Sequence, residues 1–358
     1  MGEIKKIRYD YIDILKVIAI IMVIILHSIH INFDFIASNS IKSYIMFFLR
    51  ILCEGVPIFV CVNGFLIINK PLDIKKHYLK TLKILGILLL WSLLNVVIIK
   101  LLNNECLNIK DIINNVLKTD ISNKYTGPLW FLQNLIMLYL IYPALKVVHD
   151  NNKRIYNHLF ICVTFFTVGM NLLLNSILIF QGLTNIKIAS IYSFFEKYNP
   201  ISNGNFIFFF MLGGYIFEYK DKLQCNKKRL IGITIGVVSC IYAFIMGTVL
   251  SKISGKMVAG SFNYGTVFMA GIIISLFSLF YKYKNHRRIY NKIIEDLGKN
   301  SLGIYLVHKI IIVFINRYVS YSNVAVLKLL VPLCVLVISY ILVKIIKKIP
   351  IVHKIVEL

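Results

Sequence analysis

Almost uncharged apolar runs of roughly 18–22 residues recur along this chain, and they decide what it can fold into. A bilayer's hydrocarbon core is about 30 Å thick and takes about 20 helical residues to cross. Apolar residues make up 58% of the 358, against about 45–50% in a soluble domain, and the excess falls in these blocks. The runs predict an all-α integral membrane protein, a bundle of about ten transmembrane helices around a central polar pore. The helices are placed at about 12–33, 44–69, 84–102, 129–147, 159–180, 204–219, 231–251, 263–281, 298–317 and 326–346. The first block is too long and too polar at its entry for a cleaved signal peptide, and it lacks a small-residue cleavage site. Gly55, Pro57 and Gly64 leave the second helix open to splitting or tilting. No loop is long enough for a second folded domain, so 1–358 reads as one membrane domain.

Basic residues set the expected orientation. With the N-terminus in the cytoplasm, the inner segments hold 25 of the 40 Lys and Arg and the outer segments hold 8. That bias places both termini inside. The net charge of +24 is then a topology signal carried by short loops that face anionic lipid, and no nucleic-acid partner is expected. The seven cysteines show neither CxxC nor Cys/His ligand spacing, so neither a metal site nor a disulfide framework is expected. The short GxxxG match Gly232–Gly236 predicts close helix packing.

The first helix carries an unusual stripe. Lys16 and His27 are 11 positions apart, three turns plus about 20°, so both lie on one face about 16 Å apart. Asp13 shares that face and can pair with Lys16, and His30 follows one turn after His27. Ionisable groups inside a membrane face a bundle interior or a water-filled cavity. Two readings stay open here: interfacial anchoring with a core histidine, or a polar site.

The pattern Asp13, Lys16, Ala19, His27 resembles helix 1 of the acyltransferase family 3 membrane O-acyltransferases, with Lys16 in place of the commoner Arg. Four more segments resemble that family in the same order. They are GVPIFVCVNGFLI (Gly55–Ile67, with Asn63 where Ser is usual), YLKTLKIL (Tyr78–Leu85), GPLWFLQNLIMLYLIYP (Gly127–Pro143) and LGKNSLGIYLVH (Leu297–His308). The resemblance implies transfer of an acyl group, usually acetyl, from cytoplasmic acyl-CoA to a hydroxyl of an envelope polysaccharide or lipid-linked glycan, in a prokaryotic plasma membrane. Donor phosphates need cations on the inner side, for which Arg8, Lys16, Lys76, Lys80 and Lys83 are candidates; positive-inside topology explains the same lysines. His27 has the pKa range of a general base, and covalent transfer through an acyl-imidazole stays open. Asp13 and Lys16 support it from the same stripe. Glu54 is a candidate to orient His27 or bind a sugar. Asn63 and Tyr305 are oxyanion candidates. Trp130 is a sugar platform or part of an aromatic belt. Ser301, Tyr305 and His308 share one face of helix nine, with His308 either a structural hydrogen-bonder or a site residue. Three alternatives stand beside this reading: a glycan flippase or exporter, a succinyl-type transferase, and a structural or sensory subunit.

Overall fold

The computed structural model describes residues 8–28, 48, 53–119, 122–184, 186, 189–197, 205–254, 267–283, 289–318, 325–350 and 352–357. Among these there are helices and turns but no strand. The helices are α1 (Asp10–Ser28), α2 (Val56–Ile67), α3 (Ile74–Leu102), α4 (Ile109–Leu117), α5 (Trp130–Asn151) and α6 (Lys153–Thr184, with a π turn at Phe165–Gly169). They continue as α7 (Ala189–Lys197), α8 (Asn205–Tyr219), α9 (Asn226–Ser254), α10 (Val267–Phe280), α11 (Ile289–Tyr318) and α12 (Ala325–Lys348). Among the described residues seven helices are long and apolar enough to cross a membrane. Each expected segment falls on a helix, at least in its described part. His30 and the first part of the second expected helix lie outside the described residues.

Several boundaries differ from expectation, two of them beside the site. Helix α2 begins only at Val56, with Gly55 as N-cap and Pro57 in its first turn, where a proline's missing N–H costs nothing. Twelve residues reach about 18 Å, so this helix alone does not span a bilayer. Helix α3 starts at Ile74 rather than 84, because Asp73 caps it by accepting from the Lys76 backbone N–H at 3.0 Å. Its 29 residues carry the basic turn and the apolar run as one rod. Leu79, Leu82, Leu89 and Leu93 on it are exposed, as a lipid-facing stripe would be. Helices α4 and α7 were not anticipated. Helix α4 is strongly amphipathic and only nine residues long, below the length that a hydropathy window detects.

Membrane-length helices successive along the chain alternate in direction. Tyr9 and Tyr11, at the start of α1, pack against Phe65, Phe217, Phe277 and Tyr281, at the ends of α2, α8 and α10. The start of α11 meets the same end of α1 through Arg8 and Glu295, and the end of α12 through Asp296 and Lys344. Helices α1 and α11 therefore run parallel, with Asp13 against Gly298 and His27 against His308. The expected close packing at Gly232 and Gly236 is present: these glycines face Ser278 and Ser275 of α10.

Proline chemistry fixes the α3–α5 contact. Pro143 lies inside α5 and has no N–H for the carbonyl four residues earlier. That carbonyl, of Tyr139, accepts instead from His77 Nε2–H of α3 at 2.7 Å. The Tyr139 hydroxyl donates to Asn63 Oδ1 at 2.8 Å and the Tyr142 hydroxyl to the Ile67 carbonyl at 2.9 Å. Helices α2, α3 and α5 are thus locked in register along the wall of the candidate site.

Candidate functional site

A cavity of about 470 Å³ opens toward the Arg8 end of the bundle. Its walls come from α1 (Lys16), α2 (Phe59, Asn63), α3 (Lys80), α5 (Phe131, Leu135), α11 (Lys299, Ser301, Tyr305) and the end of α12 (Lys347). Five candidates scattered over the sequence, Lys16, Asn63, Lys80, Ser301 and Tyr305, meet here. Lys299 and Lys347 join them and were not singled out from the sequence. No local pattern marks either lysine as a site residue.

The four lysines are held differently. Lys16 is half-buried, with no carboxylate within ion-pair distance among the described residues. Lys80 reaches the Tyr139 hydroxyl at 3.5 Å and lies 5.5 Å from that ring's centroid. Lys299 pairs with Glu295 at 2.7 Å. Lys347 pairs with Glu357 at 2.7 Å and holds its carboxyl below the usual carboxylate range. Residues 352–357 fold back into the mouth of the cavity. Trp91 Nε1–H anchors them by donating to the Ile355 carbonyl at 2.8 Å, and Val356 and Glu357 become lining residues.

Asp13 does not pair with Lys16. Arg8 takes it through Nε, 3.2 Å from Asp13 Oδ2, with its guanidinium also on Glu295. The guanidinium fork suits a carboxylate better than a point-charge ammonium does. Arg8 is thereby a clasp between α1 and α11 and does not line the cavity. Lys76 pairs with Asp73 at 3.0 Å on the surface, and Lys83 is exposed outside the cavity.

Among the cavity's lining residues, the aromatic rings of Phe131 and Tyr305 stand 5.5 Å apart, edge to face. The buried Tyr305 hydroxyl donates to the Pro128 carbonyl. One turn further along α11, His308 is fully buried and its ring lies 5.4 Å from that of His27. His27 is thus near the cavity without lining it. Glu54 is buried just before α2, where Gly55 packs on the backbone of Ala19, between the levels of Lys16 and His27. Trp130 packs edge to face on Phe206.

The arrangement offers a cationic pocket for an anionic ligand, a polar wall of Asn63 and Ser301, and a histidine pair past an aromatic partition. Neither a curated protein nor a solved structure matches the chain. The acyltransferase-domain family model Acyl_transf_3 matches residues 9–347, nearly the whole length. The chain belongs to that acyltransferase family.

Proposed function

We propose that this membrane acyltransferase takes an acyl group, acetyl in the first instance, from acyl-CoA and places it on a hydroxyl of an envelope polysaccharide or lipid-linked glycan. The observation that carries the reading is the single cavity in which Lys16, Lys80, Lys299 and Lys347 converge with Asn63, Ser301 and Tyr305. Lysines are point-charge partners for phosphates, and the cavity's volume is in the range of small-molecule sites. In this reading the Arg8 end faces the cytoplasm of a prokaryotic cell. The chain crosses the plasma membrane ten times with both termini inside, which agrees with the basic-residue bias and the alternating helix directions.

The chemistry then follows. The acceptor oxygen attacks the thioester carbonyl, a C–O bond forms, and the C–S bond breaks with its electron pair on sulfur. The hydroxyl proton passes to His27 and from the imidazolium to the departing thiolate. The Asn63 amide N–H donates to the developing oxyanion, and Ser301 joins it by turning its hydroxyl away from the Gly298 carbonyl, to which it donates at 3.0 Å in the resting structure.

The test is acyl transfer from radiolabelled acetyl-CoA to envelope material by membranes holding wild-type or His27→Ala protein at equal folded levels. Transfer by wild type and a loss of about 10²-fold or more in the variant is expected for a general base. Binding without transfer would exclude acetyl or the acceptor offered, and succinyl-CoA is the next donor to try. No binding of any acyl-CoA would return the glycan flippase reading.

A further inference from the structure

His308 is a buried imidazole with one nitrogen used and the other idle. Its Nδ1 contacts the Tyr305 carbonyl, and a carbonyl only accepts, so Nδ1 carries the hydrogen. Its Nε2 is buried and makes no hydrogen bond. No carboxylate contacts His308 among the described residues to balance an imidazolium there, and an unbalanced buried charge is costly. The ring is therefore the neutral Nδ1–H tautomer, with a lone pair on Nε2. Leaving a buried acceptor empty is costly, so a donor is expected. His27 is the polar ring beside it, with centroids 5.4 Å apart and planes inclined by 39°. A ring nitrogen sits roughly 1.1 Å from its centroid, so two nitrogens turned in line at that spacing stand about 3 Å apart, within hydrogen-bond reach. Closing that contact takes a turn of the His27 side chain.

We propose that His308 is a positioning residue: its Nε2 accepts from a ring N–H of His27 and so fixes the His27 tautomer whose other nitrogen keeps its lone pair. The chain runs from the Tyr305 carbonyl through both imidazoles to that lone pair. Tyr305 lines the cavity, so the same turn of α11 that bounds the donor pocket sets the tautomer of the base. The catalytic meaning rests on the proposed acyl transfer, in which His27 takes the acceptor's proton. The tautomer coupling itself does not.

The test uses full-length protein in nanodiscs with ¹⁵N-labelled histidine, the His27 signals being assigned by their loss in His27→Gln. His308→Asn places an amide N–H where Nδ1–H was and leaves no acceptor at the Nε2 position; His308→Gln places an amide oxygen near Nε2. The expected result is one His27 tautomer in wild type, a mixture in His308→Asn and a return to one form in His308→Gln. His27 signals indifferent to His308→Asn, or mixed already in wild type, would overturn the proposal. In the transfer assay the Asn variant is expected to lose about 10²-fold in kcat, with KM for acetyl-CoA changed by less than about twofold, and the Gln variant to recover part of it. A purely structural histidine would instead let Asn serve as well as Gln. Coupled tautomers in a protein that transfers nothing would sink the acyl-transfer reading and leave this one standing.

Discussion

Two helix pairs in this bundle solve the same packing problem in opposite ways. Helices α2 and α8 meet backbone to backbone: a Cβ on Gly64 would lie 1.9 Å from the Phe210 carbonyl oxygen, and one on Gly213 would lie 2.0 Å from that of Cys61. Helices α1 and α11 touch at Asp13 and Gly298, border the cavity with Lys16, Ser301 and Tyr305, and meet again at His27 and His308. Small residues close the first interface, and there is no room left for a ligand. Polar side chains from the second interface line the cavity. The lesson is that the seam of smallest residues is scaffold, while the seam that carries polar side chains borders the site.

Substitution can break that contrast. The largest effect is expected on the closed seam, where Gly213→Val must push α8 off α2 and costs about 3 kcal/mol or more. A thermal melt of detergent-solubilised protein should show a lower Tm or no folded fraction, and an unchanged melt would mean the two helices do not touch. On the open seam, Lys16→Met should leave the melt unchanged while weakening acetyl-CoA binding about 10- to 100-fold, the worth of a charged hydrogen bond. A stability loss with binding intact would make Lys16 scaffold too. Asp13→Asn should cost only about 1 kcal/mol, because Arg8 is 40% exposed and keeps Glu295.

The smallest effect lies at the opposite end of the bundle, where lysines serve only as staples. Lys100 pairs with Asp111 at 2.7 Å, and Lys124 pairs with Glu105 at 2.9 Å. The Tyr125 hydroxyl, with help from Lys124, draws Glu105 from an ordinary 4.5 down to about 2. A lowered folded pKa means the contribution is complete above the unfolded value and is lost as pH falls through the folded one. Hydrogen-exchange protection of the turn at Lys124 and Tyr125, which Glu105 holds, should therefore persist from neutral pH down to about 4.5 and erode only toward about 2. Erosion already at neutral pH would deny the staple.

Much of this was legible in the chain itself. Apolar period and length announced the helices, and short segments such as those around Asn63 and Ser301 pointed to residues that do share a cavity. What escaped was non-local. Asp13 is three residues from Lys16, and local spacing favours that pair, yet Arg8 wins by folding back with Glu295 of α11 as a second anchor. Lys347 becomes a cavity residue only because residues 352–357 turn back over it, pinned by a tryptophan from α3. The role of His77 depends on a carbonyl that Pro143 leaves open on another helix. Arg8 lies within a local window of Asp13, but the partners that decide these contacts, Glu295 for Arg8, Trp91 for Ile355 and Tyr139 for His77, lie 62 to 287 positions away.

The folded-back segment at the cavity mouth also sets a schedule for the newborn chain. At about 5–20 residues per second of synthesis, Lys16 leaves the ribosome roughly 20–70 s before Glu357. For that interval the first helix sits in the membrane with its Asp13 already matched by Arg8, five residues away, but with Lys16 facing a cavity whose far wall has not been made. The local clasp is available at once and the distant wall is not. Assembly of the pocket therefore waits for α11, the end of α12 and residues 352–357, and a ribosome stalled before α11 would leave a charged helix waiting for a site that never closes around it.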